Sequence, residues 1–144
     1  MGEYAVRARF ETKGAPDRVL RWLTSTDGIA GWWSDRVQGE AGATGARFQV
    51  SFPTSPVDFE LEVRRSDGEV VEWHVPENPP WWKGTTIRFE ISPGNEGGSS
   101  LLFTHTGFEP GDPLIEVITP AWVRFLDNLV QVAESGIANP AVVN

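Results

Sequence analysis

The sequence contains no cysteine, which excludes both a disulfide framework and catalysis by a thiolate. It also contains no apolar run near the roughly 18 residues that a membrane-spanning helix needs, so we expect no membrane partner. The first ten residues, "MGEYAVRARF", mix charged with apolar residues and lack the apolar core of a signal peptide. We therefore expect a cytoplasmic protein.

Positive charge is scarce as well. The 12 lysines and arginines are outnumbered by 20 aspartates and glutamates, which gives a formal net charge of −8 at pH 7. Such a chain repels phosphate backbones, and we expect no nucleic-acid partner. Because the sequence lacks a glycine-rich phosphate loop and the spacing of metal ligands, we expect no cofactor and no metal.

The length of 144 residues fits a single domain, 1–144, which can bury a core without a disulfide or a metal. Apolar residues alternate over residues 4–10, which predicts a first strand. Helical spacing follows over residues 14–25. Thr26 or Asp27 can then cap a second short helix through "GIAGWW".

Five further segments show the short alternating pattern of antiparallel strands, and turn-forming stretches separate them. They are "ARFQVSF" (46–52), "DFELEVRR" (58–65), "EVVEWHV" (69–75), "TTIRFEI" (85–91) and "SLLFTHT" (100–106). The "SDG" of residues 66–68 predicts a tight hairpin, because Asp-Gly accepts the positive φ angles that such a turn needs. With the first strand, these segments predict a sheet of about six strands.

The chain closes with the pattern of a long amphipathic helix. Gly136 is a suitable helix stop, and the apolar stripe consists of Ile118, Trp122, Phe125, Leu126, Leu129 and Ala133. Pro120 allows two starts: a fresh helix capped by Thr119, or one helix that begins near Pro113 and is kinked. We favour the start near Pro113.

These elements predict an α+β fold of two layers, in which a curved antiparallel sheet wraps around the long C-terminal helix and two short helices follow the first strand. We expect the helix residues Trp122, Phe125, Leu126 and Leu129 to face the sheet residues Phe59, Leu61, Trp73, Ile87 and Phe103. Where the two layers do not meet, a concave apolar space remains, which is the usual setting for a small-molecule site.

Tryptophan is abundant, with seven copies, and four of them form two adjacent pairs, Trp32–Trp33 and Trp81–Trp82. Neighbouring side chains point about 100° apart on a helix and to opposite faces of a strand, so one core rarely accepts both rings. We expect one ring of each pair to pack inward and the other to stand at a rim or over a cavity. In the alternative, the outer ring is a partly exposed aromatic that covers a strand edge.

The sequence has two histidines. His105 shares a strand face with Leu101 and Phe103, so alternation points its ring inward, beneath the long helix. There it could bind a ligand or act as a general acid–base. The more common alternative is a core histidine bonded to the backbone. We expect His74 to be exposed.

The order of the elements and four strings resemble the START-like superfamily, and within it the proteins similar to the C-terminal domain of the heat-shock-protein-90 ATPase activator. The strings are "GAPDRVLRWLTSTDGIAGWW", "GATGARFQV", "VVEWHV" and "LLFTHTGF…AWVRFLDNL". The resemblance covers almost the whole chain and implies a helix-grip fold with an internal cavity. It implies less about activity, because this superfamily includes carriers, cyclases and co-chaperone-like domains.

The predicted site is the cavity between the sheet and the C-terminal helix. Its candidate ligand-binding residues are the inward histidine and the aromatic and apolar side chains around it, namely His105, Trp33, Trp73, Phe59, Phe103, Trp82, Trp122 and Leu126. Trp73 and Trp122 also fit a core role, because a cavity lining and a core look identical in sequence. We assign no catalytic residue, since no convincing second polar group accompanies His105.

Three functions fit this sequence. We rank first the binding of a small hydrophobic or aromatic ligand, which needs only the cavity and the aromatic side chains. A protein-interaction module of the co-chaperone kind comes second, with exposed tryptophans as anchors for a protein partner. A polyketide cyclase or dehydratase comes last, with His105 moving a proton.

Overall fold

The computed structural model describes residues 5–144, whose strands form one antiparallel sheet in the order β1-β7-β6-β5-β4-β3-β2. The strands are β1 Val6–Thr12, β2 Val37–Gly39, β3 Arg47–Val50, β4 Phe59–Ser66, β5 Val70–His74, β6 Thr86–Pro93 and β7 Ser99–Thr106. The first strand and the five later segments are confirmed as strands, although Tyr4, in the predicted first strand, lies outside the described residues. The prediction of about six strands omitted β2, because three residues are too few to show alternation.

Two short helices follow the first strand, as predicted: α1 Pro16–Arg21 and α2 Thr26–Ala30. The cap of α2 is neither Thr26 nor Asp27. Ser25 has an extended backbone, and its Oγ accepts a hydrogen bond from the Gly28 backbone N–H at 2.9 Å. Serine in this conformation is among the best N-caps because its hydroxyl satisfies a free N–H of the first turn.

The long C-terminal helix, α3, runs from Leu114 to Ser135 with Pro120 inside it. The predicted start near Pro113 is therefore confirmed, and a fresh start at Pro120 is wrong. The predicted stop is also confirmed. Gly136 takes the left-handed conformation (φ 73°), and its N–H donates to the carbonyl of Val132 at 2.8 Å. Glycine carries no Cβ penalty in this conformation, which is why it commonly ends helices.

The hairpin predicted at "SDG" joins β4 to β5. Gly68 has a φ of 89°, and one carboxylate oxygen of Asp67 accepts from the backbone N–H groups of Glu69 and Val70 at 3.0 and 2.9 Å. The hydrogen bond from the Val70 N–H, with the ion pair to Arg65, lowers the pKa of Asp67 to about 2. Aspartate followed by glycine therefore supplies both the turn conformation and its hydrogen bonds.

The core lies between the concave face of the sheet and α3. The predicted facing residues are buried on both layers, with Phe125 and Phe59 half-buried at one end. The ring centroids of Phe103 and Trp122 are 4.5 Å apart, which places α3 directly on the sheet. His74 is half-buried and not exposed as predicted, because it lies in register between Glu62 of β4 and Thr86 of β6. The α+β helix-grip fold is thus confirmed.

Across residues 5–144, none of the helices combines the length and the apolar character that crossing a membrane requires.

Candidate functional site

An aromatic cluster fills the space beneath one end of α3, with Trp33 at its centre. Trp33 is fully buried. Its ring centroid lies 5.3–6.5 Å from those of Trp32, Phe52, Trp73, Trp82, Trp122 and Phe125. Ring pairs at such separations stabilise the folded state by more than the burial of their apolar area alone. This part of the space between sheet and helix is therefore packed with side chains.

Both members of the first tryptophan pair are buried, so neither ring stands at an exposed rim. Trp33 nevertheless borders an open apolar space, which agrees with the other form of the expectation, a ring over a cavity. The two rings stack at 5.7 Å with 8° between their planes. The pair is covered by the end of the chain, since the N–H groups of Ala141 and Val142 donate to the carbonyls of Trp32 and Trp33 at 3.1 and 2.9 Å. Local periodicity carries no information on such a distant segment.

The second pair divides as expected. Trp82 is buried, whereas Trp81 is 44% exposed. Both belong to a 3₁₀ turn, Pro80–Trp82, and the Trp81 ring lies edge to face on Phe59 with centroids 6.2 Å apart. The Trp82 ring packs edge to face on Phe59, with centroids 4.8 Å apart.

An open apolar groove of about 670 Å³ lies at this end of the molecule. Its walls are the N-terminal half of α3, the loop of residues 52–56, the 3₁₀ turn and residues 141–143. Three of the eight predicted site residues, Trp33, Phe59 and Trp82, line this groove. The exposed rim includes Trp81 and Val117.

The other five predicted site residues lie elsewhere. Each of them is buried in the layer between sheet and helix, and none lines the groove: His105, Trp73, Phe103, Trp122 and Leu126. The structure thus separates two groups that look alike in the sequence. A ligand role for these five stays a prediction.

Several groove residues were not predicted. Phe52 and Phe125 are visible in the sequence as the end of a strand pattern and as part of the helical stripe. Others carry no local signal, because only tertiary folding brings them together: Pro53, Thr54, Ser55, Pro56, Leu114, Val117, Ala121, Arg124, Ala141, Val142 and Val143.

His105 belongs to a buried chain of hydrogen bonds. The indole N–H of Trp122 donates to His105 Nδ1 at 3.1 Å, so the ring proton is on Nε2, which donates to Thr85 Oγ1 at 2.9 Å. The Thr85 hydroxyl then donates to the backbone carbonyl of Trp82 at 2.6 Å. His105 is thus inward-facing, as predicted, but it binds side chains and not the backbone.

This chain determines what His105 can do chemically. Both ring nitrogens are occupied, and burial lowers the pKa of His105 to about 3, so the imidazole is neutral at physiological pH. A general acid–base needs access to the proton that it transfers, and His105 has no exposed surface. Its hydrogen bonds instead tie α3 to β7 and fix the turn that presents Trp82 to the groove.

The neutral histidine predicts a specific pH dependence. An unfolded chain takes up a proton on histidine near pH 6.5, whereas folded His105 does so only near pH 3. The unfolded state therefore binds more protons between these values, so stability falls as the pH is lowered through this window. From pH 7 to pH 5 we expect His105 to reduce the free energy of unfolding by about 2 kcal/mol.

Urea denaturation at pH 7 and at pH 5 measures this change in the free energy of unfolding. His105→Leu should be less stable than the wild type by about 1–3 kcal/mol at pH 7, because the Trp122 N–H loses its acceptor, and the difference should shrink at pH 5. His74→Gln is the matched control, and it should retain most of the slope. Asp67, with its pKa near 2, contributes only at lower pH. An unchanged slope in His105→Leu would contradict the assignment.

The groove contains few polar groups. Arg124 is the one ionisable side chain among the described residues that line it, and its guanidinium donates to the carbonyl of Ala141. The indole N–H groups of Trp33 and Trp82 are buried and find no acceptor within residues 5–144, and the same holds for Trp73 behind them. A tryptophan N–H can only donate. Among the described lining residues, the groove therefore offers the positive charge of Arg124 beside the neutral side chains of Thr54 and Ser55.

Comparison with known proteins gives one family. The model of the family described as "Activator of Hsp90 ATPase homolog 1-like protein" matches residues 13–134. No curated protein matches the chain.

Solved structures with the same fold are numerous. The solution structure of the Aha1 dimer from Colwellia psychrerythraea has a TM-score of 0.81 and 25% identity, and the match covers 93% of this chain and 98% of that one. A protein from Mesorhizobium loti has a TM-score of 0.74 and 20% identity, over 89% and 95% of the two chains. DynU16, from the dynemicin biosynthetic locus, has a TM-score of 0.76 and 18% identity, over 99% of this chain and 52% of DynU16.

Proposed function

The chain belongs to the activator of Hsp90 ATPase homolog 1-like protein family, and on that premise we propose that it binds a small hydrophobic or aromatic ligand in the groove beside α3. The observation that carries this proposal is the groove itself. Ligand sites are typically concave, mostly apolar and about 300–1,000 Å³ in volume. The groove, with about 670 Å³ and walls of aromatic and aliphatic side chains, fits this description.

The exposed apolar surface supports the same site. Five large hydrophobic residues are markedly exposed in the described part of the chain, and three of them line the groove: Trp81, Val117 and Val143. Exposed apolar residues that gather in one place commonly mark a binding surface, whereas scattered ones need no explanation. A ligand in the groove would remove this surface from water.

A protein-interaction role is the second candidate, and the same rim favours it. Trp81 is 44% exposed, and tryptophan is a frequent anchor at protein interfaces. The Aha1 relative was solved as a dimer, so a second copy of this chain is one partner of this kind. A protein partner would cover the rim, whereas a small ligand would enter the groove and bind the monomer.

Catalysis receives less support. The likeness to DynU16, at 18% identity, shows the fold alone. His105 lies outside the groove and both of its ring nitrogens are bonded. We therefore propose no acid–base role for His105.

The cytoplasmic location of the protein stays a prediction.

Trp81 provides a test of the groove. Titration with 1-naphthaleneethanol, a neutral aromatic probe, should change the tryptophan fluorescence of the protein. Trp81→Ala should weaken this binding about three- to tenfold, because an aromatic contact contributes about 0.5–1.5 kcal/mol. Ile137→Ala is the matched control, since Ile137 is 71% exposed and lies outside the groove. Equal losses in both variants, or no loss in Trp81→Ala, would place binding elsewhere.

A further inference from the structure

We propose that the ligand of the groove is an apolar acid, with a hydrophobic body on the aromatic wall and an anionic group bound by Arg124. This inference rests on the proposed function and specifies the chemical class of the ligand. It starts from the charges of the groove. Of the described residues that line it, Arg124 alone is ionisable, and none is acidic.

Arg124 lines the groove and has no compensating carboxylate within the described residues. Four arginines of the strands and the hairpin form ion pairs: Arg47, Arg64, Arg65 and Arg88. Within residues 5–144, no carboxylate lies at ion-pair distance from Arg124, whose guanidinium bonds the neutral carbonyl of Ala141. A guanidinium has five N–H donors in a planar fork that matches a carboxylate. Donors therefore remain for an anionic ligand.

The indole N–H groups of the wall do not add to this selection. Those of Trp33 and Trp82 are buried and find no acceptor within residues 5–144, so a ligand in the open groove does not reach them. Arg124 is therefore the group that distinguishes an anionic ligand from a neutral one.

The negative net charge of the chain opposes the binding of an anionic ligand only weakly. At −8 the protein repels anions at long range. At physiological ionic strength, however, interactions between exposed charges are largely screened beyond about 8 Å. Glu116 and Asp127 also lie on α3 but do not line the groove. The contact with Arg124 is therefore the main electrostatic influence on which ligands the groove binds.

The experiment compares two probes of nearly equal shape, 1-naphthaleneacetate and 1-naphthaleneethanol, which differ in one anionic group. We expect the wild type to bind the acetate about tenfold more tightly than the alcohol at low ionic strength, and this preference should decrease as salt is added. Arg124→Gln should abolish the preference, so that this variant binds the acetate and the alcohol with about equal affinity. Arg124→Lys should restore part of it, because lysine keeps the charge but not the planar fork.

A control separates charge from structure, because Arg124 also holds the end of the chain through Ala141. Asn128 holds the same segment through a hydrogen bond from Nδ2 to the carbonyl of Asn139 at 2.6 Å, and it carries no charge. Asn128→Ala should therefore keep the preference for the acetate.

The outcomes are distinct. Equal binding of both probes by the wild type, or a preference that survives Arg124→Gln, would overturn the apolar-acid inference while the groove stands. Loss of the preference in Asn128→Ala would assign it to the chain end and also overturn the inference. Binding of neither probe would overturn the proposed function, and the inference with it.

Discussion

Truncation of Trp33 to alanine is expected to lower the free energy of unfolding by about 3–5 kcal/mol, the range for deleting a buried large aromatic side chain. Trp33 is fully buried and its ring lies against six other aromatic rings. The cavity left behind would be bordered on most sides by rigid rings that cannot easily collapse into it.

Trp81→Ala is the matched control, because it deletes the same side chain at a site that is 44% exposed. It should cost less than about 1 kcal/mol. Chemical denaturation of both variants, with the slope of the transition compared, measures the difference. Equal losses, or a loss below about 2 kcal/mol in Trp33→Ala, would show that the aromatic cluster is loosely packed.

Truncation of Leu126 to alanine is expected to cost about 2–5 kcal/mol. Leu126 is buried on the face of α3 that packs on the sheet. Because it does not line the groove, the groove does not reduce the effect of the lost side chain.

Val123→Ala serves as the control on the same helix, where Val123 is 51% exposed. The replacement should change stability by less than about 0.5 kcal/mol, since alanine is also the better helix former. Thermal and urea denaturation give the comparison. A loss below 1 kcal/mol in Leu126→Ala would indicate a loose or cavity-lining position and would support the internal cavity that the sequence predicts.

The fold was largely predictable because its elements are long enough to show their period. Alternation identified β4 to β7, and the apolar stripe identified α3 with its stop at Gly136. The same alternation pointed His105 inward. The sequence did not reveal β2, because three residues are too few to show alternation. It did not reveal the cap at Ser25, because that cap depends on one side-chain hydrogen bond.

The site was less predictable, for a physical reason. Periodicity reports which face of an element is buried, and it does not report which buried residues border open space. Phe59 and Phe103 are both strand residues that the pattern places facing α3, yet only Phe59 lines the groove. One wall of the groove consists of residues 141–143, which reach it by hydrogen bonding along residues 32–35. Contacts between such distant segments leave no trace in local patterns.

Intermolecular NOEs between 1-naphthaleneethanol and the isotope-labelled protein test most directly whether a small apolar ligand binds in the groove. The groove predicts NOEs from the naphthalene protons to Val117, Trp82 and Val143, which line it. NOEs to Leu126 and Phe103, without any to the groove residues, would place the ligand between sheet and helix and contradict the account.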